Sequence, residues 1–186
     1  MADSFGDSLD RALEGAYTRP APKSPGPQIR YLVEQLKGTK AVAELLGMSQ
    51  RQVERYVSGK ARHPRKALAA RMEREVKKRW QPRIRAKARK KAASTEGLVV
   101  AARARFGFTA AGDTTDDARI RDLPPQALPP RYAERLFAAR EAGATEQQLQ
   151  DIVAQGLAEV YFRARNTRAD GLGVEFTDVE HIQIQL

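Results

Sequence analysis

The sequence predicts a mainly α N-terminal domain, built around a helix-turn-helix and a long basic helix, followed by a small α+β domain. Three observations carry this prediction. Apolar residues recur every three or four positions within residues 4–16, 28–57 and 64–80, as amphipathic helices require. Lysine and arginine crowd one stretch of the chain. From Leu98 onward, short alternating runs enter among the helical ones, as strands require.

Length and composition set the bounds. The chain has 186 residues, enough for one domain or two small ones. Mean hydropathy is −0.58, and no apolar run reaches membrane length. Residues Met1–Asp7 show neither a basic nor an apolar signal-peptide region, so a cytoplasmic protein is expected. Cysteine is absent, which excludes disulfides, zinc fingers of cysteine type and thiol catalysis.

The net charge of +10 is unevenly spread. Residues 1–50 are neutral, residues 51–91 carry 17 basic against 3 acidic side chains, and residues 92–186 are net negative. A basic block between neutral and acidic segments points to a polyanion, most directly nucleic acid. A solvated basic helix is the plainer alternative. Arginine outnumbers lysine 23 to 10, which suits bidentate contacts to phosphate and guanine.

The elements follow in order. Ser4 to Ala16 reads as a helix with Phe5, Leu9 and Leu13 on one face. Thr18 to Pro27 holds four prolines in ten residues and reads as a stiff linker. Gln28 to Leu36 is helical again. Pro64 to Trp80 should form the long helix, with Leu68, Met72, Val76 and Trp80 as a narrow apolar stripe, and Pro82 should end it. A second basic segment runs from Arg83 to Ala93. Ser94 to Gly97 looks like a junction. The expected domains are therefore 1–27, 28–93 and 94–186. In the last, Leu98 to Thr109 reads as a strand, and Ala110 to Asp122 as an acidic stretch without periodicity. Pro124-Pro125 and Pro129-Pro130 should bracket a loop. Arg131 to Glu141 and Glu146 to Phe162 read as helices, the second opened by a Thr145/Gln148 capping box. Val174 to Phe176 and His181 to Leu186 read as strands.

The most specific pattern lies between Thr39 and Gly59. A first helix, Lys40 to Leu46, carries the small Ala43 where a partner helix crosses. Gly47 sits where the chain must turn with positive φ. Ser49 caps a second helix, Gln52 completes the capping box, and Val53 and Val57 face the core. This is the spacing of a helix-turn-helix, whose second helix enters the major groove. Gln50, Arg51 and Arg55 are the candidate base readers, with Ser49 beside them at the cap. Glu54 is expected to pair with a neighbouring arginine, the alternative being to accept from cytosine N4. Lys60, Arg62, Arg65 and Lys66 are candidate phosphate contacts. Neutralising about six phosphates would give log K against log salt a slope near −5. A helical hairpin without a DNA role is the alternative.

Other chemistry is sparse. His63 and His181 lie in no ligand pattern, and no phosphate-binding or dinucleotide glycine motif is present. Asp116-Asp117 alone is a weak metal signal, and an independent enzyme is not expected. The stretch Gly112-Asp-Thr-Thr-Asp-Asp117 sets two hydroxyls among three carboxylates and reads on its own as a turn.

Several stretches together add a resemblance: Asp7-Ser-Leu-Asp-Arg-Ala-Leu13, Val53-Glu-Arg-Tyr-Val57, Arg79-Trp-Gln-Pro82, Ala104-Arg-Phe-Gly-Phe108, Leu128-Pro-Pro-Arg-Tyr132 and Phe176-Thr-Asp-Val-Glu180. Nearly end to end, the chain resembles the telomere terminal proteins (the Tpg family) of linear streptomycete chromosomes and plasmids. The resemblance implies covalent attachment to DNA 5′ ends through a threonine hydroxyl, which primes synthesis across the telomeric gap. The matching threonine is Thr114, with Thr115 adjacent as the alternative. It also implies a DNA polymerase and a companion telomere-binding protein as partners, telomeric DNA as the bound nucleic acid, and a nucleoid-associated location at DNA ends. The protein would then be a primer and substrate with no cofactor of its own, the divalent metal coming with the polymerase. Asp113, Asp116 and Asp117 would orient the hydroxyl or hold the loop away from DNA. The competing expectations are a non-covalent helix-turn-helix transcriptional regulator or plasmid replication factor, and an enzyme of nucleic acid metabolism.

Overall fold

A computed structural model of the chain describes residues 4–109, 115–162 and 173–186, with backbone alone for 106–109, 115–119, 162 and 173–178. The described residues are mainly helical, with a small three-stranded antiparallel sheet. They form two compact units. One comprises residues 18–82; the other is assembled from residues 1–17 and 83–186. This division departs from the expected 1–27, 28–93 and 94–186. The first helix belongs with the C-terminal sheet, and so does the basic segment after Pro82.

The 18–82 unit is all helical. Helix α2, Pro25–Leu36, begins three residues earlier than expected, inside the proline-rich stretch. Pro25 and Pro27 occupy its first turn, where a missing N–H costs nothing. Buried Gln28 donates through Nε2 to the Pro22 carbonyl at 3.0 Å and so secures the approach. Helix α3 is Thr39–Leu46, α4 is Gln50–Val57 and α5 is Lys66–Arg79. Pro64 stays outside α5, which is shorter than the helix expected from Pro64 to Trp80. Ile29, Leu32, Val42, Ala43, Leu46, Val53, Tyr56, Met72 and Val76 make the core. Gly47 ends α3 at φ 62°, the left-handed conformation glycine adopts without a Cβ clash.

The other unit packs helices on one face of the sheet. Helix α1, Phe5–Gly15, is capped by Ser4 and buries Phe5, Leu9 and Leu13. Helix α6, Pro82–Lys91, runs into a widened turn at Ala92–Glu96. Strand β1, Leu98–Thr109, matches its expected span. It is the central strand, with β2, Thr115–Leu128, and β3, Gly173–Gln185, antiparallel on its two sides. Helices α7, Pro130–Glu141, and α8, Glu146–Leu157, complete the unit, and the chain after α8 continues as a wider turn over Ala158–Phe162. Leu98, Val100, Ala102 and Ala104 alternate into a core shared with Leu123, Leu128, Ile182, Ile184, Leu136, Phe137, Leu149, Val153 and Leu157.

Strand β2 is a correction to the sequence reading, which saw an acidic stretch and a proline-bracketed loop. Prolines are tolerated at a sheet edge and at bulges, where no ladder donor is needed. Both conditions hold here. The strand is at the edge, and Pro124 and Pro125 fall at the register shift between the Val100↔Gln126 and Ala102↔Leu123 pairs. Likewise β3 is one strand over the two segments expected separately, with register shifts opposite Arg103 to Arg105.

Two positions lock this unit. Gly97 has φ 73°, and a Cβ there would lie 1.9 Å from the Leu128 carbonyl oxygen, so only glycine fits. Buried Ser8, on α1, donates to the Ile182 carbonyl at 3.2 Å and accepts from the Ile184 amide at 2.9 Å. Its hydroxyl satisfies the edge of β3 that β1 does not pair. The N-terminus of α1 is held by Glu146, whose carboxylate accepts from the Phe5 and Gly6 amides. Asp10 pairs with Arg140 at 2.8 Å.

Candidate nucleic-acid interface

The α3–α4 pair is built from short-range signals. Ser49 Oγ accepts from the Gln52 amide at 3.3 Å, and Gln52 Oε1 accepts from the Ser49 amide at 3.2 Å. This reciprocal cap fixes where α4 begins and satisfies two amides that would otherwise be unpaired. Val53 and Tyr56 then face the core, which turns the opposite side of α4 to solvent. The pair is closed from α5, where Arg71 Nη1 donates to the Leu46 carbonyl at 2.5 Å.

The candidate residues divide by what they touch. Ser49 and Gln52 are engaged in the cap. Gln50 donates through Nε2 to Thr39 Oγ1 at 3.0 Å and to Glu54 Oε1 at 3.1 Å. Glu54 thus takes Gln50 as its partner in place of the arginine expected from the sequence. Gln50 and Arg51 both lie about one turn from Glu54, and the bond to Thr39 holds the Gln50 amide beside the carboxylate. Arg51 and Arg55 are exposed, one turn apart, and enter no side-chain hydrogen bond or ion pair among the described residues. They are the two available guanidinium groups of this helix, each with five donors in a planar fork.

After α4 the cations continue. Lys60, Arg62, Arg65 and Lys66 are all exposed. Arg62 donates through Nε to the Gly59 carbonyl at 3.3 Å, which leaves its terminal nitrogens outward. Arg65 and Lys66 stand at the start of α5, where no side chain caps the first turn. Uncapped amides beside two cations suit a phosphate. The distal half of α5 differs. Lys77 pairs with Glu73 at 3.3 Å, and Glu75 pairs with both Lys78, at 3.1 Å, and Arg79. The Glu75 carboxyl lies below its ordinary pKa. Burial pushes it up, and the hydrogen bonds from Arg79 and Lys78 outweigh that. Residues 51–66 thus hold six exposed cations, Arg51, Arg55, Lys60, Arg62, Arg65 and Lys66, with no ion pair among the described residues.

The sequence reading missed the Thr39–Gln50 link and the ties at the unit's two ends. Thr18 donates its amide and hydroxyl to Gln81 Oε1 at 3.0 and 3.2 Å. Trp80 stacks edge-on against Tyr31, with ring centroids 4.9 Å apart. No sequence signal announces these contacts.

Of the proposed attachment residues, Thr114 and Asp113 lie outside the described residues. Thr115 opens β2, and Asp116 pairs with Phe108 in the β1–β2 register; the side chains of Thr115, Asp116 and Asp117 lie outside the description. Among the described residues no cluster of three or more His, Asp or Glu side chains forms a metal site. No described helix is long and apolar enough to cross a membrane.

Comparison of the chain with protein-family models, with curated proteins and with solved structures gives no match.

Proposed function

We propose that this chain is a DNA terminal protein. In this reading α3, the Gly47 turn and α4 act as a helix-turn-helix that seats DNA, and a threonine hydroxyl between β1 and β2 becomes joined to a DNA 5′ end. The observation that carries the DNA-binding half is the capped α4 with Arg51 and Arg55 exposed and unpartnered among the described residues, next to the unpaired cations of residues 60–66. A fixed helix presenting free guanidinium groups is what guanine and phosphate recognition requires. The priming half is supported by the sequence resemblance to the telomere terminal proteins, which matches Thr114 to the attachment residue.

The chemistry suits a threonine. Its Oγ is a secondary alcohol, like the deoxyribose 3′-OH that a polymerase extends. Attack of Oγ on the α-phosphorus of a deoxynucleoside triphosphate forms the Thr–O–P bond and breaks the α–β phosphoanhydride. Pyrophosphate leaves and the hydroxyl proton passes to a base of the polymerase site. The metal ions for this in-line step belong to the polymerase.

The test is a covalent label. The full chain is incubated with a DNA polymerase, the companion telomere-binding protein and a labelled deoxynucleoside triphosphate. Nuclease-resistant label on the wild type, its loss in Thr114→Ala and its release by alkali are the expected results. Label that persists in Thr114→Ala moves the attachment to another residue, Thr115 first. DNA binding without any label would replace this reading with that of a non-covalent regulator or replication factor.

A further inference from the structure

We propose that the solvent face of α6 is a second, sequence-independent contact for the DNA phosphate backbone, carried by the unit that does not contain α4. Helix α6 holds Arg83, Arg85, Lys87, Arg89, Lys90 and Lys91 and no acidic residue. One side of it is committed to its own unit. Ala92 is buried at its end, and Ala88 packs on the core. Arg89 pairs with Glu141 and lies 5.5 Å from the centroid of the Phe137 ring. That anchoring turns Arg83, Lys87 and Lys90 outward, and all three are exposed. At 3.6 residues per turn they fall within an arc of about 60° and a rise of about 10 Å. Among the described residues no ion pair engages any of them.

This face differs from an ordinary solvated one. On α5 the glutamates stand one turn from the cations and pair with them. On α6 Arg83 and Lys87, four apart, and Lys87 and Lys90, three apart, carry like charge, which destabilises a helix, while Lys91 pairs with Glu96. Arg83 and Arg85 also lie in the first turn, where the helix macrodipole disfavours cations. The rigid helix thus holds a repulsive row of charge that a polyanion relieves. A flexible cationic tail would carry no such cost. Lysine in two of the three positions favours point contact with phosphates over base reading.

The inference rests on the DNA-binding reading and is separable from it. The full chain is titrated with salt while bound to duplexes of unrelated sequence, and log K is followed against log salt. Replacing Arg83→Gln, Lys87→Gln and Lys90→Gln together is expected to flatten the slope by about 2.7, at about 0.9 per phosphate lost, equally for every duplex. Lys87→Gln alone should flatten it by about 0.9, which keeps the test open if the triple variant loses its circular dichroism spectrum. Exchange by Arg83→Lys, Lys87→Arg and Lys90→Arg should retain the slope. Wild-type protein that binds no duplex overturns both readings. Wild-type binding with an unchanged slope in folded neutral variants overturns the α6 contact alone.

Discussion

The indole Nε1 of Trp80 donates a 3.1 Å hydrogen bond to the carbonyl of Arg19, joining residues 61 positions apart. The Arg19 guanidinium lies 5.2 Å from the Trp80 ring, and Gln81 Nε2 donates to the same carbonyl at 3.2 Å. The two ends of the 18–82 unit are thereby clasped. Clasped ends let a chain leave one unit at Tyr17, fold another and return at Arg83. Gln81 has φ 44°, an uncommon conformation for a residue with a side chain. Its hydrogen bonds to Thr18 and Arg19 hold it there.

Trp80→Ala should cost the 18–82 unit about 3–5 kcal/mol, the range for truncating a buried aromatic. Trp80→Phe should cost about 1–2 kcal/mol through the lost indole donor. Urea unfolding measures both. Trp80 is the single tryptophan, so its fluorescence reports this unit in the wild type. A Trp80→Phe protein as stable as wild type would remove the clasp from the account.

Ser8→Ala should destabilise the sheet-containing unit by about 1–3 kcal/mol. It leaves a buried edge carbonyl and amide of β3 without their partner. Thermal unfolding followed in the far ultraviolet checks this, and amide exchange should quicken at Ile184.

The Glu75 carboxyl titrates below its ordinary value, because hydrogen bonds from Arg79 and Lys78 exceed the effect of burial. Its folded form therefore binds its proton less readily than its unfolded form. The associated stability is fully present above the unfolded value, about 4.3, and is lost as pH falls through the lower folded value. Between pH 6 and pH 3 the wild type should lose more stability than Glu75→Gln. Equal losses in denaturant titrations at the two ends of that range would contradict the assignment.

Arg51→Ala and Arg55→Ala should each weaken binding to a preferred duplex by about 1–3 kcal/mol and relax sequence preference. Neither side chain supports the fold, so circular dichroism should not change. In the proposed division of roles, Thr114→Ala should leave this affinity intact, as measured by anisotropy. A loss of affinity with Thr114→Ala would merge the two roles.

The two capping boxes show what could be read locally. Ser49 with Gln52 and Thr145 with Gln148 both form. Donor and acceptor lie three residues apart, and helix geometry alone brings them together. The left-handed turn at Gly47 was legible just as locally, from glycine's freedom at positive φ, and the span of β1 from its alternation. Strand β2 was not. Its prolines argue against a strand until its place at the sheet edge and the bulge are known. The partner of Glu54 was also misread, because Gln50 and an arginine are equally within reach on a helix and only the Thr39–Gln50 contact orients the amide.

By itself, the sequence determined where the capped helices α4 and α8 start, which faces are apolar and where positive charge collects. These depend on propensity, capping and periodicity over a few residues. Tertiary structure decided which elements belong together. Ser8 meets Ile182 and Ile184 across 174 and 176 positions, and this places α1 with the C-terminal sheet. Arg89 with Glu141 places α6 there as well, dividing the basic stretch between the two units. Such pairings depend on burial and on satisfying backbone groups at long range, and neither leaves a periodic mark in the chain.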